Sequence, residues 1–235
     1  MANVVKGEDQ PIVTRPTATE VEEDNLALQN VEVFYERNKK PITMAVVALV
    51  VLVGGFFAYR YYNTSRDSKA AAKAFYAQQY FMADSAQLAL KGDGQHYGFL
   101  KVIKEFGGTK TANLAHYYAG VSYMKLGDTK NAIKYLEDFD GKGTMIGTAA
   151  HGLLGHAYME TGKTDKAIDE YKKATENDKD VVQTPMYLFT LGAAYEMAKK
   201  PEDAKKAYLR IRDEFPTSMQ ARDIDRYLAR LGEVE

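Results

Sequence analysis

The chain has 235 residues, of which 46 % are hydrophobic and 27 % charged, with a formal net charge of −1, the balance of a folded protein. It contains no cysteine, which excludes a thiolate nucleophile, a Cys-ligated zinc, a disulfide framework and a lipidated-cysteine anchor. Eight acidic and two basic residues fall between Met1 and Glu36, and no basic stretch interleaved with aromatics follows, so nucleic acid is not an expected partner.

Residues 1 to about 30 carry Pro11, Pro16, a threonine cluster and the acidic run Glu20, Glu22, Glu23, Asp24 without any sustained apolar period. They read as an unstructured tail. Leu26, Asn30, Val33 and Phe34 would share one face of a short amphipathic helix ending near Arg37, and a loose linker fits the same residues. Residues 1–37 are therefore assigned to this tail.

Pro41 to Tyr59, PITMAVVALVVLVGGFFAY, is a run without a charge that spans roughly 28 Å as a helix at about 1.5 Å per residue, close to the thickness of a hydrocarbon core. With its flanks, 38–62 reads as a transmembrane helix. Its position some distance into the chain, without a small-residue cleavage site, argues against a cleaved signal peptide. Lys39 and Lys40 flank one end, and Tyr59, Arg60, Tyr61 and Tyr62 form an aromatic and basic collar at the other. Basic residues on the two sides nearly balance, so charge leaves the orientation open. Gly54 and Ala58 form a small-xxx-small pair that would admit a partner helix, though ordinary glycine and alanine usage gives the same spacing. Neither Gly nor Pro interrupts Phe56 to Lys91, and Ala70, Ala71, Ala72, Ala74 and Ala77 favour helix, so the span is expected to continue as a stalk.

Three segments then align with one another: Asn113 to Phe139, Thr148 to Ala174 and Pro185 to Ile211. Each places Tyr three residues after a Gly and Ala nine residues later, as Gly120, Tyr123, Ala132, then Gly155, Tyr158, Ala167, then Gly192, Tyr195, Ala204. Leu154-Gly155, Leu191-Gly192, the later Tyr171 and Tyr208, and Pro216 complete a pattern that resembles the tetratricopeptide repeat. Ala119, Leu136 and Lys199 depart from it, the last at the inter-helix position that Gly127 and Gly162 occupy. The resemblance implies pairs of helices stacked into a solenoid, each unit leaving an apolar face for its neighbour. Residues 63–110 are expected to form the stalk and a degenerate first repeat, 111–216 three repeats, and 217–235 a capping helix apolar at Ile224, Tyr227, Leu228 and Leu231. The fold class is all-α: a single transmembrane helix continuing into a tetratricopeptide-repeat α-solenoid.

The repeats offer no chemistry. GxSxG, P-loop and Rossmann patterns are missing, and His96, His116, His151 and His156 lack carboxylate companions at ligand spacing, so packing explains His116 and His151 better than metal. No enzymatic activity and no cofactor are expected. Projecting the repeat geometry puts Leu114, Tyr117, Val121, Met124, His156, Met159, Met186, Phe189 and Met197 on an inner, methionine-rich face suited to an apolar peptide or a partner's helix. Packing of several of these against neighbouring helices is the competing reading. Only Lys125 adds a positive charge, so a groove for acidic peptides is not expected.

The order of parts, FYERNKKPI at 34–42, the span, YRYYN at 59–63, an Ala-rich stalk and divergent repeats, resembles the bacterial YfgM family, an ancillary subunit of the SecYEG translocon. The resemblance covers most of the chain after about Val31 and is most specific around the span. It implies a bacterial inner-membrane anchor with a cytoplasmic N-terminus, a periplasmic repeat domain, and as partners the translocon, the membrane chaperone PpiD and emerging secretory proteins. A scaffold subunit of another envelope complex, in secretion or cell division, is the alternative function.

Overall fold

The structure, a computed structural model, describes the backbone of residues 18–176 and 180–232 and the side chains from residue 33 onward. Of the tail assigned to residues 1–37, residues 1–17 lie outside the described residues. The chain divides into two compact units, residues 1–60 and 61–235. Helix α1, Ala18–Met82, runs through parts of both. It begins earlier than the sequence suggested: residues 18–25, expected as unstructured tail, are helical, as are Leu26 to Arg37, where the sequence leaves both a short helix and a loose linker open.

In the first unit, α1 is long and apolar enough to cross a membrane; an 18-residue window within Val33–Met82 has mean hydropathy 2.4 and no buried residue. Large apolar side chains along this stretch, among them Leu49, Val51, Leu52 and Phe57, are exposed. Such a surface is costly in water at about 25 cal/mol per Å² of apolar area.

The second unit is helical throughout its named elements. α2 is Ala86–Lys91, α3 Phe99–Phe106, α4 Lys110–Lys125, α5 Thr129–Glu137, α6 Met145–Glu160, α7 Thr164–Ala174, α8 Gln183–Met197 and α9 Pro201–Glu214. A 3-10 turn, Gln220–Asp223, leads into α10, Ile224–Arg230. The uninterrupted stalk predicted to Lys91 ends at Met82, because Asp84 takes the left-handed conformation at φ 56°. Aspartate tolerates that region better than most residues, and its carboxylate pairs with Lys125 of α4. The end of α1 supplies Ala70, Ala74 and Ala77 to the interior, all fully buried. Ala74 and Ala77 join Leu90, Phe99, Val102, Ala115 and Ala119 in one apolar cluster.

Sequence explains where the repeat helices start. The Thr109 and Thr144 hydroxyls and the Asp128 carboxylate accept backbone N–H bonds from Ala112, Gly147 and Asn131, each three residues on. Pro201 opens α9 at a position where no intrahelical N–H bond is required. The three repeats are the pairs α4/α5, α6/α7 and α8/α9, and they share one internal contact. Gly155 lies against the ring of Tyr171, Gly192 against Tyr208 and Gly120 against Leu136; a Cβ on these glycines would sit 2.3, 2.2 and 2.5 Å from the facing side chain. Leu136 is thus the counterpart of the two tyrosines.

The turns between paired helices are equally regular. Gly127 and Gly162 both have φ +72°, and Lys199 takes φ +57° at the third turn. The residue after each donates its N–H five residues back, to the carbonyls of Tyr123, Tyr158 and Tyr195. Beyond α9, Ile224 and Leu228 are buried and join the core formed by the second and third repeats.

Gly155→Leu is expected to overpack α6 against α7 and cost about 1 to 3 kcal/mol. Lys199→Gly is expected to relieve a left-handed backbone worth about 1 to 2 kcal/mol, partly offset by glycine's greater freedom when unfolded. Thermal melts of the full chain in detergent check both. The first should lower Tm, the second raise it by a few degrees, about 2–4 °C per kcal/mol.

Candidate partner-binding face

The first helix of each repeat, α4, α6 and α8, touches its counterpart in the next repeat, so their outward sides form one continuous face. On α4, Leu114, Tyr117, Val121 and Met124 recur at helical spacing, and each is partly exposed. Tyr117 also leans inward, its ring 5.5 Å from those of Tyr118 and Phe139. On α6, Met159 is partly buried against the core, while His156 is exposed and bonded to the Tyr171 hydroxyl at 3.0 Å. On α8, Met186 and Met197 project with 41 % and 70 % exposure, but Phe189 packs on Tyr208 and Tyr227, with centroids 5.8 and 4.9 Å away. Tyr117, Met159 and Phe189 therefore divide their surface between the core and the face. Met186 and Met197 are exposed, while Leu114, Val121 and Met124 are partly buried like the first three.

Sequence reasoning overlooked Tyr187. The position held by Tyr117 in the first repeat and Phe189 in the third is Gly152 in the second, and the Tyr187 ring occupies the space that a side chain would need there. Tyr187 is 6 % exposed, and its hydroxyl pKa is pushed up to about 12 by loss of water and by the neighbouring Tyr117. A glycine at one position of a stripe whose other members are aromatic was the available signal.

Polar groups gather where one repeat meets the next. The Tyr158 hydroxyl donates to Glu137 and is held up at about 12, first by desolvation and then by that carboxylate. Thr129 donates to Glu160 at 2.8 Å and Lys200 pairs with Asp165 at 3.0 Å; within the third repeat Glu196 accepts from Tyr208, and from Arg230 of α10, at 2.7 Å. Lys125, the one cation expected on the face, already faces Asp84.

Each histidine has a separate local role. His96 bonds Asp93 at 2.8 Å and lies against Tyr76; His151 bonds Glu170 at 2.7 Å. His116 packs near Tyr135, its Nδ1 buried without a hydrogen-bond partner and 3.9 Å from Asp138. Desolvation holds its pKa below the ordinary value, more strongly than Asp138 raises it. Among the described residues no three His, Asp or Glu side chains could hold a metal ion together. In the span, Gly54 and Ala58 are exposed, and a Cβ on Gly54 would meet nothing within 4 Å.

As pH falls through about 6.5, the unfolded chain takes a proton at His116 before the folded chain does, so stability present above 6.5 declines toward the lowered folded pKa. His116→Phe is expected to remove this part of the dependence and to leave that of His156, which desolvation also holds below its ordinary value. It should also stabilise by about 1 kcal/mol, since an unpaired buried polar atom costs about 1 to 3 kcal/mol. Melting curves of both proteins between about pH 7.5 and 5.5 check this, carboxylates titrating lower; parallel curves would refute it.

Comparison with known proteins agrees with this geometry. One family model described as tetratricopeptide repeat matches residues 148–181, and a second with the same description matches 114–140 and 187–218. Two similar solved structures are a kinesin-light-chain-like protein of Podosopora anserina with nearly identical TPR-like repeats and a variant of it. The variant is 15 % identical with a TM-score of 0.52 over 70 % of this chain and 85 % of its own; the other is 13 % identical with 0.51 over 70 % and 86 %. At this identity the likeness concerns the fold. No curated protein matches the sequence. The second unit thus carries three tetratricopeptide repeats in a TPR-like solenoid, an architecture that serves as an adaptor between proteins.

Proposed function

We propose that the chain is a single-pass membrane protein whose repeats form a non-catalytic adaptor, an accessory subunit of the Sec translocon. In this reading residues 38–62 span a bacterial inner membrane, 63–110 form the stalk and first repeat, 111–216 the three repeats and 217–235 the cap. The N-terminus is cytoplasmic and the repeats periplasmic. The partners are SecYEG and a PpiD-like membrane chaperone, with emerging secretory chains as further ligands of the α4–α6–α8 face.

The observation that carries the adaptor reading is the stripe of apolar side chains on that face, with Met186 and Met197 exposed and Leu114, Val121 and Met124 partly so. Flexible methionines accommodate varied apolar surfaces. Support for the anchor is the exposed apolar length of α1, which a bilayer would cover. The translocon assignment rests on resemblance to the YfgM family around the span.

The test is affinity purification of the full chain from gently solubilised native membranes. Recovery of translocon core and membrane chaperone supports the translocon reading; recovery of a different envelope complex without them favours the scaffold alternative. Met186→Glu and Met197→Glu, both at exposed positions, should weaken this recovery while changing stability by no more than about 0.5 kcal/mol, the usual range for surface positions. Photo-crosslinkers at the same two residues should capture secretory chains if clients bind directly.

A further inference from the structure

We propose that the repeat unit carries, starting seven residues in sequence after the apolar span, a docking surface for anionic lipid headgroups made by Arg66, Lys69, Lys73, Lys101, Lys104 and Lys110. The proposal rests on the membrane-anchor reading above. These residues are scattered over 45 positions of sequence, from 66 to 110, and the end of α1 packs against α3 and α4.

Three contacts join the two sets. The Arg66 guanidinium donates to the Glu105 carbonyl at 3.3 Å, and the Thr111 N–H donates to the Asp67 carboxylate at 2.8 Å. Lys73 and Lys101 both lie over the Tyr97 ring, 5.1 and 3.9 Å from its centre. The five lysines are exposed and Arg66 partly so. None of the six has a carboxylate within ion-pair distance among the described residues, whereas Lys125, Lys173, Lys200, Arg210 and Arg230 elsewhere in this unit each do. Four carboxylates border the region: Asp67, which is engaged by Thr111, Glu105, and Asp138 and Asp140, which line a cleft together with Lys110. The surface therefore keeps an excess of positive charge, six basic side chains against these four carboxylates.

Chain continuity selects the partner. Arg66 follows Tyr59, the last residue of the uncharged run, by seven residues, so even a fully extended path keeps it within about 25 Å of the end of the span. Tyr59, Tyr61 and Tyr62 are 66 %, 80 % and 60 % exposed, and such rings settle at the headgroup level of a bilayer. Anionic headgroups are thus held near the cluster at high effective concentration, and several lysines together give a polybasic attraction. Lipid contact at this surface would limit how far the repeat unit moves from the bilayer.

The test uses the full chain, which has no cysteine of its own, with Glu105→Cys carrying an environment-sensitive fluorophore. It is reconstituted into vesicles of phosphatidylcholine alone or mixed with phosphatidylglycerol at about 2:1, each doped with a headgroup-labelled quencher. Quenching is expected to be roughly twofold stronger with phosphatidylglycerol. The difference should vanish in about 1 M salt, where the Debye length is about 3 Å, and in the Lys69→Gln/Lys104→Gln/Lys110→Gln variant. Equal quenching in the two vesicles, with the protein still floating with both, overturns the lipid surface and leaves the anchor standing. Failure to float with either vesicle overturns the anchor, and the lipid surface with it. Salt sensitivity of the unsubstituted patch keeps the test independent of whether the triple variant folds.

Discussion

Close approach of paired helices at a glycine is the contact on which the rest of the repeat unit depends. Gly155 and Gly192 present bare backbone to the rings of Tyr171 and Tyr208, and Gly120 does the same to Leu136. Each of these partners is at most 1 % exposed. The glycine sets the separation of the two helices, and the buried side chain fills the remaining volume at interior packing density. Once every pair is held in this way, α4 meets α6 and α6 meets α8, and their outward sides form a continuous face. The inter-helix turn is subordinate to the contact: Lys199 accepts a left-handed backbone because the pair on either side holds it there.

The face that results is partly consumed by its own construction. Ring packing draws Tyr117 toward Phe139 and Phe189 toward Tyr227, and Tyr187 closes the gap above Gly152. What stays open, in whole or in part, is mostly flexible: Met124, Met186 and Met197, with Leu114 and Val121. An unbranched thioether adapts to the shape opposite it. Polar bonds between repeats, such as Tyr158 to Glu137 and Lys200 to Asp165, sit at the junctions of successive units and stiffen the stack without charging the stripe.

Electrostatics is organised differently at the two ends of this unit. From α7 onward many basic side chains face a carboxylate one turn away or on the next helix, as Lys173 faces Glu170 and Arg230 faces Glu196. Between residues 61 and 110 the carboxylates are few and turned to other uses: Asp67 binds a backbone N–H, Asp84 reaches Lys125, and Asp93 holds His96 and Tyr80. The basic side chains of this region are left facing solvent. The asymmetry is a property of the assembled unit and not of any one helix.

Repeat register was legible in the residues themselves, because a recurring Gly, Tyr and Ala at fixed spacing is a local consequence of helix-pair geometry, and the apolar length of the span follows from simple counting. The equivalence of Leu136 to Tyr171 and Tyr208 could be read the same way. Sequence did not show where α1 ends, since an aspartate in the left-handed region carries no signal as strong as glycine or proline, and it did not show the helical segment from Ala18. Nor could it divide the predicted stripe into side chains that lean on the core and side chains that project, because both kinds recur at the same helical spacing. Tertiary structure alone decided that division, put Tyr187 over Gly152, and gathered into one patch basic residues that lie far apart in the chain, since each depends on which helix packs beside which.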